Sequence, residues 1–111
     1  MDLRALLTTH LKLRHLVIVL AVAEYGSLVR AAEELYLTQP ALSRALREAE
    51  QAVGASLFER TGRGMVPTPA GAACLEHSKA IVGHLSTLRR RVEELHDPDA
   101  GLVQDTSRSR L

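Results

Sequence analysis

The 111 residues carry 14 Lys and Arg against 13 Asp and Glu, so no charge excess draws the chain to an anionic partner, and any such case rests on where the charges sit. Apolar residues make up 46% but aromatics only 3%, with no Trp, which favours one small domain of packed helices built from Leu, Val and Ala over a sandwich of strands. The single cysteine, Cys74, excludes an internal disulfide, no apolar run approaches the roughly 18 residues of a membrane span, and "MDLRALLTTH" has no signal-peptide pattern, so a cytoplasmic location is expected.

Residues 1–12 read as a leader. Leu13, Leu16, Val17, Leu20 and Ala21 recur at spacings of three and four, the apolar side of a helix that ends where Gly26 supplies a C-cap. Ser27 caps a second helix with Leu28, Ala31, Ala32 and Leu35 inward, and the small Ala31–Ala32 pair lets another helix approach closely. Thr38 caps a third helix with Pro40 in its first turn and Gly54 at its end. Its expected buried stripe is Leu42, Leu46, Ala49 and Val53. The opposite side carries Pro40, Arg44, Arg47 and Gln51, with Ser43 on the flank. Two short helices across a tight connection, the second with a polar outer side, form the pattern of a helix-turn-helix.

"SLFERTGRGMVPT" breaks the helical period and places Gly62 and Gly64 around Arg63, the composition of a hairpin. Leu57 and Phe58 anchor its first strand and Met65 and Val66 its second, with Arg63 at the tip and Arg60 behind it. A hairpin after a helix-turn-helix is a wing. From Thr68 as cap and Pro69 in the first turn, a long helix runs to the Asp97–Pro98 breaker, with Gly71 and Gly83 read as tolerated glycines. At 1.5 Å per residue it is about 40 Å long, more than so small a domain covers. Cys74, Ser78, Ile81, Leu85, Leu88, Val92 and Leu95 alternate spacings of four and three, which is a heptad seam for a second copy of the chain. Leu75 and Val82 widen its first half, so that end also packs on its own domain. His77, His84, Arg89 and Arg91 flank the seam with few acids facing them, which disfavours a parallel pair in matched register. The expected organisation is a leader at 1–12, a winged helix-turn-helix at 13–67, a linker helix at 68–96 and a flexible tail at 97–111.

An amide can bond adenine and a guanidinium can fork onto guanine, so Gln39 and Arg44 are the candidates for reading base edges. Thr38 and Ser43 read a base or hold a phosphate, and Arg63 between glycines suits a narrow minor groove. Arg30, Arg47 and Arg60 are either phosphate clamps or ion-pair partners of Glu33, Glu34, Glu48 and Glu50. The whole candidate set is Thr38, Gln39, Pro40, Ala41, Ser43, Arg44 and Arg47 for the major groove, Arg60, Arg63 and Gly64 for the wing, and Ser27, Arg30 and Thr68 for phosphates. Cys74, His77 and His84 are spaced too widely for a metal site, and no nucleophile has a partnered base, so neither an enzyme nor a cofactor is expected.

From Leu13 to Gly71 the chain resembles the N-terminal DNA-binding domain of LysR-type transcriptional regulators. AVAEYGS stands before an AA pair, TQPALSR lies on the third helix, VGASLFER follows, and the arginine-tipped wing leads to TPAG. The resemblance implies a mostly α winged helix-turn-helix, three helices and a hairpin, followed by a linker helix that pairs antiparallel with its copy. It implies that Gln39, Pro40, Ala41, Ser43 and Arg44 face the major groove of double-stranded DNA and that Arg63 enters the minor groove. Ala49, Val29 and Pro67 depart from the usual pattern. Family members ordinarily continue into an effector-binding domain, so this sequence is expected to be a piece or a short regulator, and no small-molecule effector is expected to bind it. The rival expectation is an interaction module that forms mixed dimers through Cys74 to Leu95 and blocks a longer relative.

Overall fold

The computed structural model describes residues 2–96; the expected tail at 97–111 lies outside them. The described elements run α1 (Leu3–Thr8), α2 (Leu13–Tyr25), α3 (Leu28–Glu34), α4 (Gln39–Val53), β1 (Phe58–Thr61), β2 (Gly64–Pro67) and α5 (Pro69–His96). This is the expected mostly α winged architecture with one addition. The leader contains the short helix α1, whose first turn is held by the Asp2 carboxylate accepting from the Arg4 and Ala5 N–H groups and which buries none of its residues.

Helix α2 is the centre of the fold, packed by α3, α4, α5 and β2. The expected stripe is corrected here: Leu13 and Val17 are exposed, whereas Ile18, Val19 and Val22 are buried along with Leu16 and Ala21. A helix covered from several directions buries more than one stripe, and the unbroken run "LVIVLAVA" carries no period to mark its wet side. On α3, Ala31 and Ala32 are both buried in the core shared with α2 and α4, the close approach that their small side chains allow.

Helix α3 ends in a Schellman turn, in which the Tyr36 N–H donates to Glu33 O at 3.2 Å and the Leu37 N–H to Ala32 O at 2.9 Å. Tyr36 therefore sits at φ +57°, a left-handed conformation that costs a residue with a Cβ roughly 1–2 kcal/mol. The corresponding ends of α2 and α4 use Gly26 and Gly54.

Helix α4 begins where the Thr38 hydroxyl accepts from the Ala41 N–H at 3.2 Å, a cap worth about 1 kcal/mol. Leu42, Ala45, Leu46 and Ala49 face inward. Val53 does not, being 39% exposed, because the helix has run past the core by its last turn and Ala45 takes the fourth inward position. The chain then turns back under control of Glu50, whose carboxylate accepts from the Leu57 N–H at 2.8 Å. Leu57 is fully buried and Phe58 nearly so.

Strands β1 and β2 pair antiparallel with Thr61 opposite Gly64, leaving Gly62 and Arg63 as the turn. Met65 is half-buried against the core while Val66 is exposed, so only one of the two expected anchors of the second strand packs. The Met65 N–H donates to Gly26 O at 3.0 Å, which fastens the wing to the end of α2. Helix α5 starts at Thr68, whose hydroxyl donates to Ser56 O at 2.6 Å and accepts from the Gly71 N–H at 3.0 Å. Gly71 is buried, and a Cβ on it would lie 2.0 Å from Leu57 O. It is therefore a required glycine, not a tolerated one: α5 can lie against the Leu57 backbone only without a side chain there.

Candidate nucleic-acid interface

Among the described residues, the outer side of α4 is left uncovered. Thr38, Gln39, Pro40, Arg44 and Arg47 are exposed, and Ala41 and Ser43 are half-exposed. The pattern follows from the period of the helix, which turns these positions away once Leu42, Ala45, Leu46 and Ala49 are committed inward. Thr38 accepts a cap bond through its oxygen, so its O–H remains free to donate outward.

The charges around this face are sorted. Among the described residues, Arg30, Arg44, Arg47, Arg60 and Arg63 make no ion pair, so the expectation that Glu33, Glu34, Glu48 or Glu50 hold Arg30, Arg47 or Arg60 is not met. The two acids of α4 are engaged elsewhere, Glu50 by the Leu57 amide and Glu48 by α2. With both carboxylates hydrogen-bonded to groups on other parts of the chain, Arg44 and Arg47 make no direct ion pair among the described residues, in a chain whose total charge is only +1.

The Glu48 contact is the part of the site that sequence reading missed. His15 is buried in α2, its Nδ1 accepts from the Lys12 N–H at 2.9 Å, and its Nε2 lies 3.1 Å from Glu48 Oε1. A ring nitrogen that accepts a backbone amide carries no proton, so the geometry assigns the proton to Nε2, which donates to Glu48. That hydrogen bond holds the Glu48 carboxyl below its ordinary value of 4.5, with burial opposing and the positive charges of Arg14 and Arg44 adding to it. Arg14 also lies 3.6 Å from Glu48. A lone His in an apolar helix gives no sequence signal for a partner 33 residues away.

The wing presents Arg60 and Arg63 exposed. Its tip is ordered by Thr61, whose hydroxyl accepts from the Arg63 N–H at 3.1 Å and donates to Gly64 O at 3.3 Å. Gly64 is half-buried at φ +106°, and a Cβ there would lie 2.4 Å from Gly26 O. Contact with α2 thus fixes its place at the tip of the wing, a packing role that the sequence did not suggest. Of the three residues expected at phosphates, Thr68 has its hydroxyl proton committed to Ser56, which leaves no donor for an anion. Ser27 accepts from the Arg30 N–H at 3.1 Å as the cap of α3 and keeps its proton. Arg30 is exposed and lies over the Tyr25 ring, 5.3 Å from the centroid.

Helix α5 divides into two parts. Cys74 and Ser78, the first two seam positions, face the chain itself: Cys74 is half-buried against the core, and Ser78 is buried with its hydroxyl 3.8 Å from Cys74 Sγ. Ile81, Leu85, Leu88, Val92 and Leu95 are exposed, Leu88 by 58% and Leu95 by 79%. Beside them Arg89 pairs with Glu93 at 3.8 Å and Arg91 with Glu94 at 3.9 Å, so the flanking charge is more balanced than the sequence suggested. No group of three His, Cys, Asp or Glu side chains that could hold a metal exists among the described residues, and no described helix is long and apolar enough to cross a membrane.

Comparison with known proteins bears on this arrangement. The family model "Bacterial regulatory helix-turn-helix protein, lysR family" matches residues 13–72. The RuBisCO operon transcriptional regulator of Allochromatium vinosum is 42% identical over 86% of this chain and 32% of its own length. The HTH-type transcriptional regulator YdcI of Escherichia coli (strain K12) is 42% identical over 97% of this chain and 34% of its own. The chain thus spans about a third of the length of these relatives. Among solved structures, the BenM_DBD/benA site 1 DNA complex superposes with a TM-score of 0.74 at 29% identity, covering 78% of this chain and 97% of that one. The CbnR_DBD–DNA complex superposes with a TM-score of 0.72 at 32% identity, covering 78% and 99%. With its helix-turn-helix, wing and long helix all accounted for, the chain belongs to the lysR family of bacterial regulatory helix-turn-helix proteins.

Proposed function

We propose that this chain is the DNA-binding part of a transcriptional regulator, acting in the cytoplasm, with α4 in the major groove of double-stranded DNA and the wing at the adjacent minor groove. The observation that carries the reading is the outer side of α4, where Gln39, Arg44 and Arg47 stand exposed and make no side-chain hydrogen bond or ion pair among the described residues, while the Glu48 and Glu50 carboxylates are hydrogen-bonded to His15 and to the Leu57 amide. Gln39 and Arg44 read base edges; Arg47, Arg60 and Arg30 hold phosphates, which gives affinity without sequence information. Arg63 enters the minor groove. The DNA complexes of similar fold support the placement. Two copies pair through Ile81, Leu85, Leu88, Val92 and Leu95, with α5 antiparallel to its partner, so that one dimer presents two copies of α4. An interaction module that merely blocks a relative leaves the unpaired arginines of α4 with no task.

Filter binding against mixed genomic fragments at several salt concentrations tests the reading. Retention of particular fragments, with affinity falling steeply as salt rises, is the expected result. A chain that forms dimers in light scattering yet retains no fragment at low salt contradicts it.

A further inference from the structure

We infer that Tyr36, which no base-reading argument uses, binds a DNA backbone phosphate through its hydroxyl at the edge of the α4 site. The inference rests on the DNA-binding reading above and deepens it. Tyr36 is the one non-glycine residue with positive φ among the described residues. The chain puts glycine at the two comparable helix ends, Gly26 and Gly54, so the turn after α3 keeps a conformation that glycine would adopt without strain.

Nothing among the described residues accounts for that choice. The side chain is 95% exposed, and its hydroxyl makes no hydrogen bond among the described residues. The backbone of the turn already satisfies its own bonds through Glu33 O and Ala32 O, and those bonds do not involve the ring. A large ring left wholly in solvent at a strained position gives the fold nothing, and its use lies in a contact outside the chain. The contact is located by the connection itself. Tyr36 stands two residues before Thr38, the cap of α4, in the turn that delivers that helix. Anything that receives the first turn of α4 in a groove brings its sugar-phosphate edge to this turn. A phenol there is a neutral donor with no competing partner, and a phosphate oxygen is the acceptor that a DNA edge supplies.

A neutral donor has a distinguishing signature. It adds affinity without displacing a condensed counterion, so its removal lowers binding but leaves the salt dependence unaltered, unlike removal of an arginine. It also contacts no base, so it acts alike on every sequence.

The test compares the 111-residue chain with Tyr36→Phe and Tyr36→Gly, each titrated at three salt concentrations against a duplex selected from a random pool and a duplex of scrambled sequence. Both variants are expected to bind both duplexes roughly three- to tenfold more weakly, with an unchanged slope of log affinity against log salt. Tyr36→Gly is expected to melt no lower than the parent chain. Parent-like binding by Tyr36→Phe overturns the hydroxyl contact, and a loss confined to the selected duplex overturns a phosphate contact. Should the parent chain itself bind neither duplex, the DNA-binding reading falls and this inference with it; a parent that binds while both variants match it sinks the inference alone.

Discussion

His15 and Glu48 join α2 to α4, the helix proposed to enter the DNA groove. The ring accepts a backbone amide at one nitrogen and donates to Glu48 from the other, so both of its polar atoms are satisfied where water does not reach. The carboxylate is thereby tied to α2 through His15 and Arg14. Folding lowers the Glu48 pKa. A carboxyl acidified by folding contributes stability that is fully present above its unfolded value, near 4.5, and is lost as the pH falls through the lower folded value. Glu48→Gln removes this contribution. The melting temperatures of parent and variant are predicted to differ most near neutrality and to converge as the pH drops below that range. A gap that widens toward acid contradicts the assignment.

At the scale of elements, the wing and the start of α5 are held by backbone approach. Gly64 abuts Gly26 O and Gly71 abuts Leu57 O, while Thr68 ties both of the adjoining segments through Ser56 and Gly71. Gly71→Ala puts a methyl inside the Leu57 carbonyl contact, and because the obstruction is backbone it cannot rotate aside. We predict a loss of about 1–3 kcal/mol or more, read as a lowered midpoint in urea denaturation, whereas Gly83→Ala, with open space around it, leaves the midpoint unchanged or raises it. Equal midpoints for the two variants would contradict this account of the linker's attachment.

These two glycines also mark what the sequence conceals. The ends of α2 and α4 were legible because Gly26, Ser27, Thr38 and Gly54 are local signals whose meaning does not depend on distant residues. The outer side of α4 was legible for the same reason, since a run with low apolar content carries a clear helical period. The inward side of α2 was not, because an all-apolar run has no wet side to read and four other elements decide its burial. Gly71, the His15–Glu48 bond and the strained Tyr36 depend on long-range approach or on a turn lacking its usual glycine. Of these only the last left a trace in the sequence: a helix that must stop within two residues of Thr38 without a glycine to stop it.

For the whole molecule, α5 couples a folded unit to a surface that unit cannot cover. Its first half is part of the core through Cys74, Leu75 and the buried Ser78, and its second half carries exposed leucines at heptad spacing. A charge placed on the second half should separate copies without unfolding either one. Leu88→Glu is predicted to halve the mass in light scattering at micromolar concentration while leaving the circular-dichroism signal of α2 to α4 and the wing intact. Persistence of the parent mass would show that the pairing surface lies elsewhere.

The central claim is that the outer side of α4 reads base edges, and the most direct measurement is the affinity of Arg44→Ala for a selected and a scrambled duplex at one salt concentration. The account predicts that binding to the selected duplex weakens by about 1–3 kcal/mol, so that the preference shrinks or vanishes, while binding to the scrambled duplex falls much less. Equal loss on both duplexes would reduce Arg44 to a phosphate contact and contradict direct reading by this helix.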